Sequence, residues 1–260
     1  MLPFLETALD AAKAAGEILL RSYEKPKDIE YKGDVDLVTE VDRASERLIL
    51  EKILGQYPTH AIVAEESGTR KSESDYRWII DPLDGTTNYA HNLPLFSISI
   101  ALEYKKEIIV GVVYDPVRPE LFYAEKDSGA YQNGKPISVS AVNDLGRSLL
   151  VTGFPIRKRE EAETNLQVFR AFTMRAQGVR RLGSAALDIC YVACGRFEAH
   201  WEFRLHAWDT AAASCILKEA GGRITDFGGQ PFDPFGTETL ATNGKIHESM
   251  MQVLAPFRDK

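Results

Sequence analysis

Asp81 and Asp84 stand three residues apart in the stretch Arg77-Trp78-Ile79-Ile80-Asp81-Pro82-Leu83-Asp84-Gly85-Thr86-Thr87-Asn88. The apolar run Trp78-Ile79-Ile80 ends in Asp81-Pro82. Proline cannot donate to a sheet ladder, so a strand is expected to stop there. Asp84, Gly85, Thr86 and Thr87 have the composition of a turn and a helix entry. The two carboxylates and the Leu83 carbonyl between them offer hard oxygen ligands to a divalent cation. Backbone N–H groups at Gly85 and Thr86 can face an anion at a helix start. A cation and a phosphate together suit such a stretch, although Asp-Pro and Asp-Gly also build ordinary surface turns.

Further acids lie where strands or loops meet helices. Ala61-Ile62-Val63-Ala64 is a short buried strand that delivers Glu65-Glu66-Ser67-Gly68 at its C-terminal edge. Ligand sites in α/β sheets gather at such edges. Thr39-Glu40-Val41-Asp42 is a helix start, with Thr39 at the N-cap and an acid three residues on. Capping alone would explain Asp42. Trp208-Asp209-Thr210-Ala211-Ala212-Ala213 opens a later helix, where Asp209 could again be only an N-cap. Taken together, Asp42, Glu65, Asp81, Asp84 and Asp209 resemble the set that two-metal hydrolysis of a phosphate ester needs. In that chemistry a bridging carboxylate holds two ions about 3.5–4 Å apart, one activating water and the other stabilising the leaving alkoxide. Mg²⁺ suits an all-oxygen site that keeps several waters.

The elements that must position these acids follow from periodicity. Residues 4–22 form an amphipathic helix with Phe4, Leu5, Leu9, Ala12, Ile18 and Leu19 on one face, and Pro26 ends it. A short extended piece at Ile29–Lys32 leads into Gly33-Asp34, a loop expected to be mobile. Leu48, Ile49, Ile53 and Leu54 continue the buried face of the helix that begins near Thr39. From Ser97 to about Val139 the chain is β-rich, with strands at 98–102, 108–114 and 121–124 and a hairpin signal at Asn133-Gly134. Arg118, Glu120 and Lys126 in this meander are expected to be solvated. A strand at 148–153, a charged-face helix at 160–176 and the helix entry Arg180-Arg181-Leu182-Gly183-Ser184-Ala185-Ala186 follow. The charged stretch from Arg157 to Glu163 is expected to face solvent. A strand at 197–203 carries Glu202. The alanines after Asp209 let a sheet or helix approach closely, Gly221-Gly222 ends their helix, and a last helix covers about 246–257.

With 260 residues, 44% hydrophobic and 27% charged, the chain is in the ordinary globular range and can bury a sizeable core. The formal charge of −7, with both signs mixed along the chain, argues against nucleic acid or an anionic membrane as the main partner. Bound Mg²⁺ would still allow a phosphorylated substrate. Cys190, Cys194 and Cys215 fit neither a disulfide framework nor a zinc knuckle, and the five histidines form no zinc motif. No basic-then-apolar leader and no apolar run of about 20 residues is present, so a cytoplasmic protein is expected. The composition shifts near 140–150. The expected organisation is a single unit over 1–260, with subdomains of about 1–145 and 146–260.

The motifs also carry a family likeness. Glu65-Glu66-Ser67, Trp78 through Asn88, and Trp208-Asp209-Thr210-Ala211-Ala212 match, in order, three signatures of the inositol monophosphatase family of Mg²⁺-dependent, lithium-sensitive phosphomonoesterases. Asp36-Leu37-Val38-Thr39 leading to Asp42, and Gly183-Ser184-Ala185-Ala186, extend the likeness over nearly the whole chain. The resemblance implies an α/β (α+β) fold, a layered αβαβα sandwich, and a homodimer. It implies that Glu65, Asp81 and the Leu83 carbonyl hold one Mg²⁺, that Asp81, Asp84 and Asp209 hold a second with Asp81 bridging, and that a third, weaker ion sits near Glu65. Thr86, hydrogen-bonded to Asp42, would orient or deprotonate the nucleophilic water. Gly85 and Thr86 N–H groups would hold the phosphate. Asp84, Ala185 through its backbone, Glu202 and Asp209 would contact hydroxyls of a small phosphorylated polyol or sugar. Lys32 would approach the metal and phosphate, in a segment one residue shorter than the animal enzymes' pattern. Arg204 adds a charge near the substrate edge that could reach a second phosphate or pair with a surface acid.

The implied reaction is hydrolysis of myo-inositol monophosphate. Fructose 1,6-bisphosphate, histidinol phosphate and adenosine 3′,5′-bisphosphate are handled by related sites. Two other classes compete. An aspartyl-phosphate phosphatase of the haloacid dehalogenase type uses Asp-x-Asp-Gly-Thr, but its acids are two apart near the N-terminus, and those here are three apart with strands before them. A non-catalytic regulator could keep the fold and use its surface, since fold alone does not guarantee activity.

Overall fold

The computed structural model describes residues 3–23, 25, 29–31, 37–154 and 159–257, of which 29–31, 37–39 and 159–162 are described by backbone alone. Lys32, Asp36 and Arg157 lie outside the described residues, as does the side chain of Thr39. Helix α1 (Pro3–Ser22), the antiparallel pair β1 (Ile29–Tyr31) and β2 (Leu37–Thr39), and helix α2 (Glu40–Gln56) come first. Strands β3 (Ala61–Ala64), β4 (Gly68–Arg70) and β5 (Tyr76–Asp84) pass through the short helix α3 (Thr86–Ala90) into a meander. Its strands are β6 (Ser97–Tyr104), β7 (Glu107–Asp115), β8 (Glu120–Glu125), β9 (Ala130–Gln132) and β10 (Lys135–Pro136). The remainder alternates: β11 (Leu149–Thr152), α4 (Arg159–Thr173), β12 (Gly178–Arg180), α5 (Ala185–Ala193), β13 (Ala199–Phe203) and α6 (Ala207–Glu219). It closes with β14 (Arg223–Thr225), β15 (Glu238–Thr242) and α7 (His247–Leu254).

The strands form an eight-stranded sheet in the order β10-β9-β8-β7-β6-β5-β3-β4 and a five-stranded sheet in the order β12-β11-β13-β15-β14. Alternation along each strand assigns its two faces to different layers. Ile98, Ile100 and Leu102 of β6 join Trp78 and Ile80 of β5 against α1 and α2, while Ile79 and Ala101 point to α5 and α6 on the other face. Beyond the second sheet, Leu150, Ala199 and Trp201 pack on Val168 and Phe172 of α4 and Met250 of α7. The order is helices, sheet, helices, sheet, helices, the αβαβα layering expected.

Small residues set the spacing of these layers. A methyl group on Gly111 of β7 would sit 2.2 Å from the Ala212 carbonyl of α6, so helix and sheet touch backbone to backbone there. Ala211, Ala212 and Ala213 are fully buried, as the alanine run predicts. The buried stripe of α1 is Leu5, Thr7, Ala8, Ala11, Ala12, Ala15, Gly16 and Leu19, which includes Leu5, Ala12 and Leu19 of the expected face, with Phe4 and Leu9 packed at its edge. Alanines carry it because α2 lies close.

Several expectations need correction. β5 does not stop before Pro82; it runs to Asp84, with the register shifting between the Asp81–Ser99 and Asp84–Ser97 pairs. An irregularity there spares Pro82 a ladder bond. Glu120 is not solvated: Arg196 and Tyr191 donate to its carboxylate, which is 13% exposed. Arg118 and Lys126 are exposed as expected, with Arg118 pairing to the buried Asp115. The Asn133-Gly134 hairpin is present, both residues having positive φ as a tight two-residue turn requires.

Candidate active site

The C-terminal end of β5 places Asp81, Leu83 and Asp84 in the interior, 2%, 1% and 8% exposed. Gly85 follows at φ 96°, a left-handed conformation that glycine adopts without strain, and starts α3. A side chain there would crowd the carbonyls of Leu95 and Gly183. Thr86 then turns its Oγ1 toward the Leu83 carbonyl at 3.0 Å and Asp42 Oδ1 at 3.2 Å. The Thr86–Asp42 pairing implied by the resemblance is therefore present, joining α3 to the first turn of α2.

Asp42 does not work alone. Ser45 and Glu46, three and four residues on, share its helix face. Ser45 Oγ donates to the Pro82 carbonyl at 2.9 Å. The buried Glu46 carboxylate accepts the Glu66 and Ser67 N–H groups, each at 2.8 Å, and so fixes the turn that carries Glu65. Sequence reasoning passed over both residues; their i, i+3, i+4 spacing from Asp42 was the available signal. Asn88 was also missed: its amide donates to the Leu95 and Leu182 carbonyls at 2.7 and 2.8 Å, tying α3 to the α5 entry.

Asp84 meets the other half of the chain. Ser184 Oγ donates to it at 2.5 Å, and the Ala186 and Ala185 N–H groups at 2.9 and 3.3 Å. Its carboxylate thus sits on the N-terminus of α5, where the helix dipole favours a negative charge. Asp209 lies at the third position of α6, where it accepts the His206 N–H at 2.7 Å. Capping is part of its role, as the sequence suggests, but from inside the helix rather than from the N-cap.

Burial pushes Asp81 well above the usual carboxylate range, and the charges of Glu65, Asp84 and Asp209 push it further. The neighbouring Glu65 carboxylate raises it further still, a crowding that a proton or a cation relieves. Asp84 is raised to about 7, by burial and then by Asp209, against the opposing donors Ser184, Ala186 and Ala185. Glu202, on β13, is raised to about 8 by burial and by the Asp209 and Asp84 charges, with Arg181 and the Gly153 N–H opposing. Glu65, Asp81, Asp84, Asp209 and Glu202 are therefore electrostatically linked, although they come from four separate segments.

Among the described residues, no three acidic, histidine or cysteine side chains form a ready-made metal cage. Asp84 and Asp209 are turned to backbone donors instead. The donor set nonetheless fits a hard divalent cation: every candidate ligand is an oxygen, and mutual repulsion of buried carboxylates is what a cation relieves. Ala185 is buried with its N–H directed at Asp84, and Arg204 is exposed, its backbone at φ 57° and its N–H on the Thr237 carbonyl.

The chain matches the model of the inositol monophosphatase family over residues 1–257. It is 46% identical to an inositol-1-monophosphatase of Synechocystis sp., over 97% of this chain and 88% of that one. To Nus factor SuhB of Pseudomonas aeruginosa it is 42% identical, over 98% and 97%. The solved inositol monophosphatase of Anabaena (Nostoc) sp. superposes with a TM-score of 0.89 at 43% identity, covering 97% of this chain and 95% of that one. With its acids set at the sheet ends of that layered fold, and with a match running almost end to end, this chain belongs to the inositol monophosphatase family.

Proposed function

We propose that this phosphatase of the inositol monophosphatase family is a Mg²⁺-dependent phosphomonoesterase that hydrolyses myo-inositol monophosphate or a closely related polyol phosphate. The observation that carries the reading is the mutual elevation of the buried acids around Asp81, beside a threonine already bonded to a buried aspartate. Glu65, Asp81, the Leu83 carbonyl, Asp84 and Asp209 would hold the ions, two or three per subunit. A divalent cation bound there supplies charge to phosphoryl oxygens and acidifies water.

The chain's own groups do the rest. Thr86 Oγ1 accepts a hydrogen bond from the attacking water while donating its own proton to Asp42, so the water is oriented and its proton has a relay through the hydroxyl to the Asp42 carboxylate. Gly85 and Thr86 N–H groups hold the phosphate. Glu202, Asp84, Asp209 and the Ala185 backbone face the hydroxyls of the leaving alcohol, with Glu65 beside the water. Lys32 and Arg204 are further candidates for phosphate contacts. In this reading the protein acts as a homodimer in an aqueous compartment; no helix among the described residues is long and apolar enough to cross a membrane.

The test is phosphate release from myo-inositol 1-phosphate, fructose 1,6-bisphosphate, histidinol phosphate and adenosine 3′,5′-bisphosphate, compared by kcat/KM with and without Mg²⁺. Release that ignores Mg²⁺, or is best with a bisphosphate, overturns the reading in its metal or its substrate. Relatives named Nus factor SuhB favour a second, regulatory role through a protein or RNA partner. Its test is co-purification of a stable partner that survives Asp84→Asn.

A further inference from the structure

Three buried histidines are present, and two of them are satisfied. His247 lies 3.0 Å from Thr225 Oγ1 and 2.9 Å from Thr242 Oγ1, and His60 accepts the Trp78 indole N–H at 3.1 Å. His200 differs. It is fully buried, yet neither ring nitrogen has a hydrogen bond. Its Nε2 stands 3.7 Å from Glu202 Oε2, and its Nδ1 stands 3.9 Å from Asp188 Oδ2. Those gaps are too long for a hydrogen bond and too short to admit a bridging water. Asp188 Oδ1 also lacks a partner.

Unmade hydrogen bonds cost a buried group much of its desolvation, so their concentration at one spot calls for an explanation. Backbone geometry supplies part of it. His200 and Glu202 are two apart on β13 and so face the same side, toward Asp188 of α5, while Ala199 and Trp201 face the outer core. If the side chains close these gaps by less than an ångström, one neutral tautomer serves both acids, with protonated Asp188 donating to Nδ1 and Nε2–H donating to Glu202. Burial raises Asp188 and lowers His200, in keeping with a proton on the acid and a neutral ring. On its other side the Glu202 carboxylate lies against Gly153, whose backbone N–H works to lower its pKa. Gly153 has no positive φ, so its lack of a side chain serves space rather than conformation. A methyl group there would fall 2.2 and 2.3 Å from the two Glu202 oxygens.

We propose that His200, backed by Asp188 and opposed by Gly153, is a positioning residue that fixes the Glu202 carboxylate and thereby sets preference for a hydroxyl-bearing leaving group. The inference rests on the reading of Glu202 as the contact to the departing alcohol. Small displacements of a substrate-orienting group are amplified in rate, so misplacing Glu202 should be felt only by substrates that use it.

The experiment compares kcat/KM for myo-inositol 1-phosphate with that for 4-nitrophenyl phosphate, which has no hydroxyls to offer, in the Mg²⁺-loaded enzyme. His200→Phe should lower the polyol-to-aryl ratio about ten-fold, mainly through KM for the polyol ester. Gly153→Ala should lower it similarly while keeping the histidine. His200→Gln, whose amide can still donate to Glu202, should restore the ratio to within about three-fold of the parent. In a Glu202→Gln background, His200→Phe should change the ratio no further. Parallel losses on both esters, or an undiminished effect of His200→Phe in the Glu202→Gln background, overturn the positioning role. A parent enzyme with no preference for the polyol ester overturns the functional reading itself. A preference that depends on Glu202 but not on His200 or Gly153 overturns this inference alone. If His200→Phe does not fold, His200→Gln and Gly153→Ala decide.

Discussion

Two ends of the same site bury carboxylates under opposite conditions. Around β5 and α3, Asp81 and Asp84 are raised by burial and by other acids, and no basic side chain among the described residues is a principal influence on either. Around β13 and α5, Glu202 and Asp188 feel the charge of Arg181 and have an imidazole between them. Buried acids crowded by other acids, with no basic side chain to offset them, need a proton or a cation. Acids that meet a neutral ring and backbone N–H groups can instead present a fixed hydrogen-bonding surface. In the function proposed above, the first end suits a cation and a phosphate, and the second an alcohol.

The sharpest way to break this contrast is Asp81→Asn, which leaves the fold's shape and removes one charge from the acid-only end. Phosphate release should fall about a thousand-fold, as when a preorganised electrostatic contact is lost. A loss of only a few-fold would show that Asp81 is not central. Thr86→Val removes the hydroxyl held by Asp42 and should lower kcat about a hundred-fold. Asp42→Asn in that background should add little, because the two act as one unit. Independent, multiplying losses would separate them.

Glu46→Gln weakens the grip on the Glu66 and Ser67 N–H groups without touching any proposed ligand. A drop of about ten-fold in apparent Mg²⁺ affinity, read by titrating activity, is expected, as for groups that orient metal ligands. An effect on the polyol-to-aryl ratio instead would blur the two ends.

The smallest effect is on stability. An acid with a higher pKa in the folded than in the unfolded chain favours folding when protonated. Its contribution is complete below about pH 4 and is lost as pH rises through the folded value. With Asp84 at about 7 and Glu202 at about 8, metal-free protein should lose stability steadily between those limits and the unfolded values near 4. Scanning calorimetry in chelator should show Tm falling by a few degrees from about pH 5 to 8. Mg²⁺ should flatten the part due to the acid-only end, and Glu202→Gln the remainder. A slope that Mg²⁺ abolishes entirely would mean that Glu202 belongs with the metal acids.

How much of this was legible depends on how local each feature is. The layers were readable because strand alternation and helix periodicity repeat every few residues: Ile98-Ser99-Ile100 declares its two faces within the stretch itself. The acids Glu65, Asp81, Asp84 and Asp209 were readable because each ends an apolar run or opens a helix. The passage of β5 through Pro82 was not, since it depends on Ser97 of a neighbouring strand pairing with Asp84. Nor was Glu120, whose burial depends on Arg196.

The sequence by itself therefore determined the inventory: which segments are helix or strand, and which acids stand at their ends. Tertiary structure decided what those acids face. Ser184 reaches Asp84 across 100 residues, and Glu46 reaches Ser67 across 21, through bonds to backbone or to single side chains that leave no periodic trace. His200 carries the point furthest. On a strand it is one more alternating residue, and only the packing of α5 against β13 places it between two carboxylates with both nitrogens open, because a buried group's partners are set by what the fold brings to it.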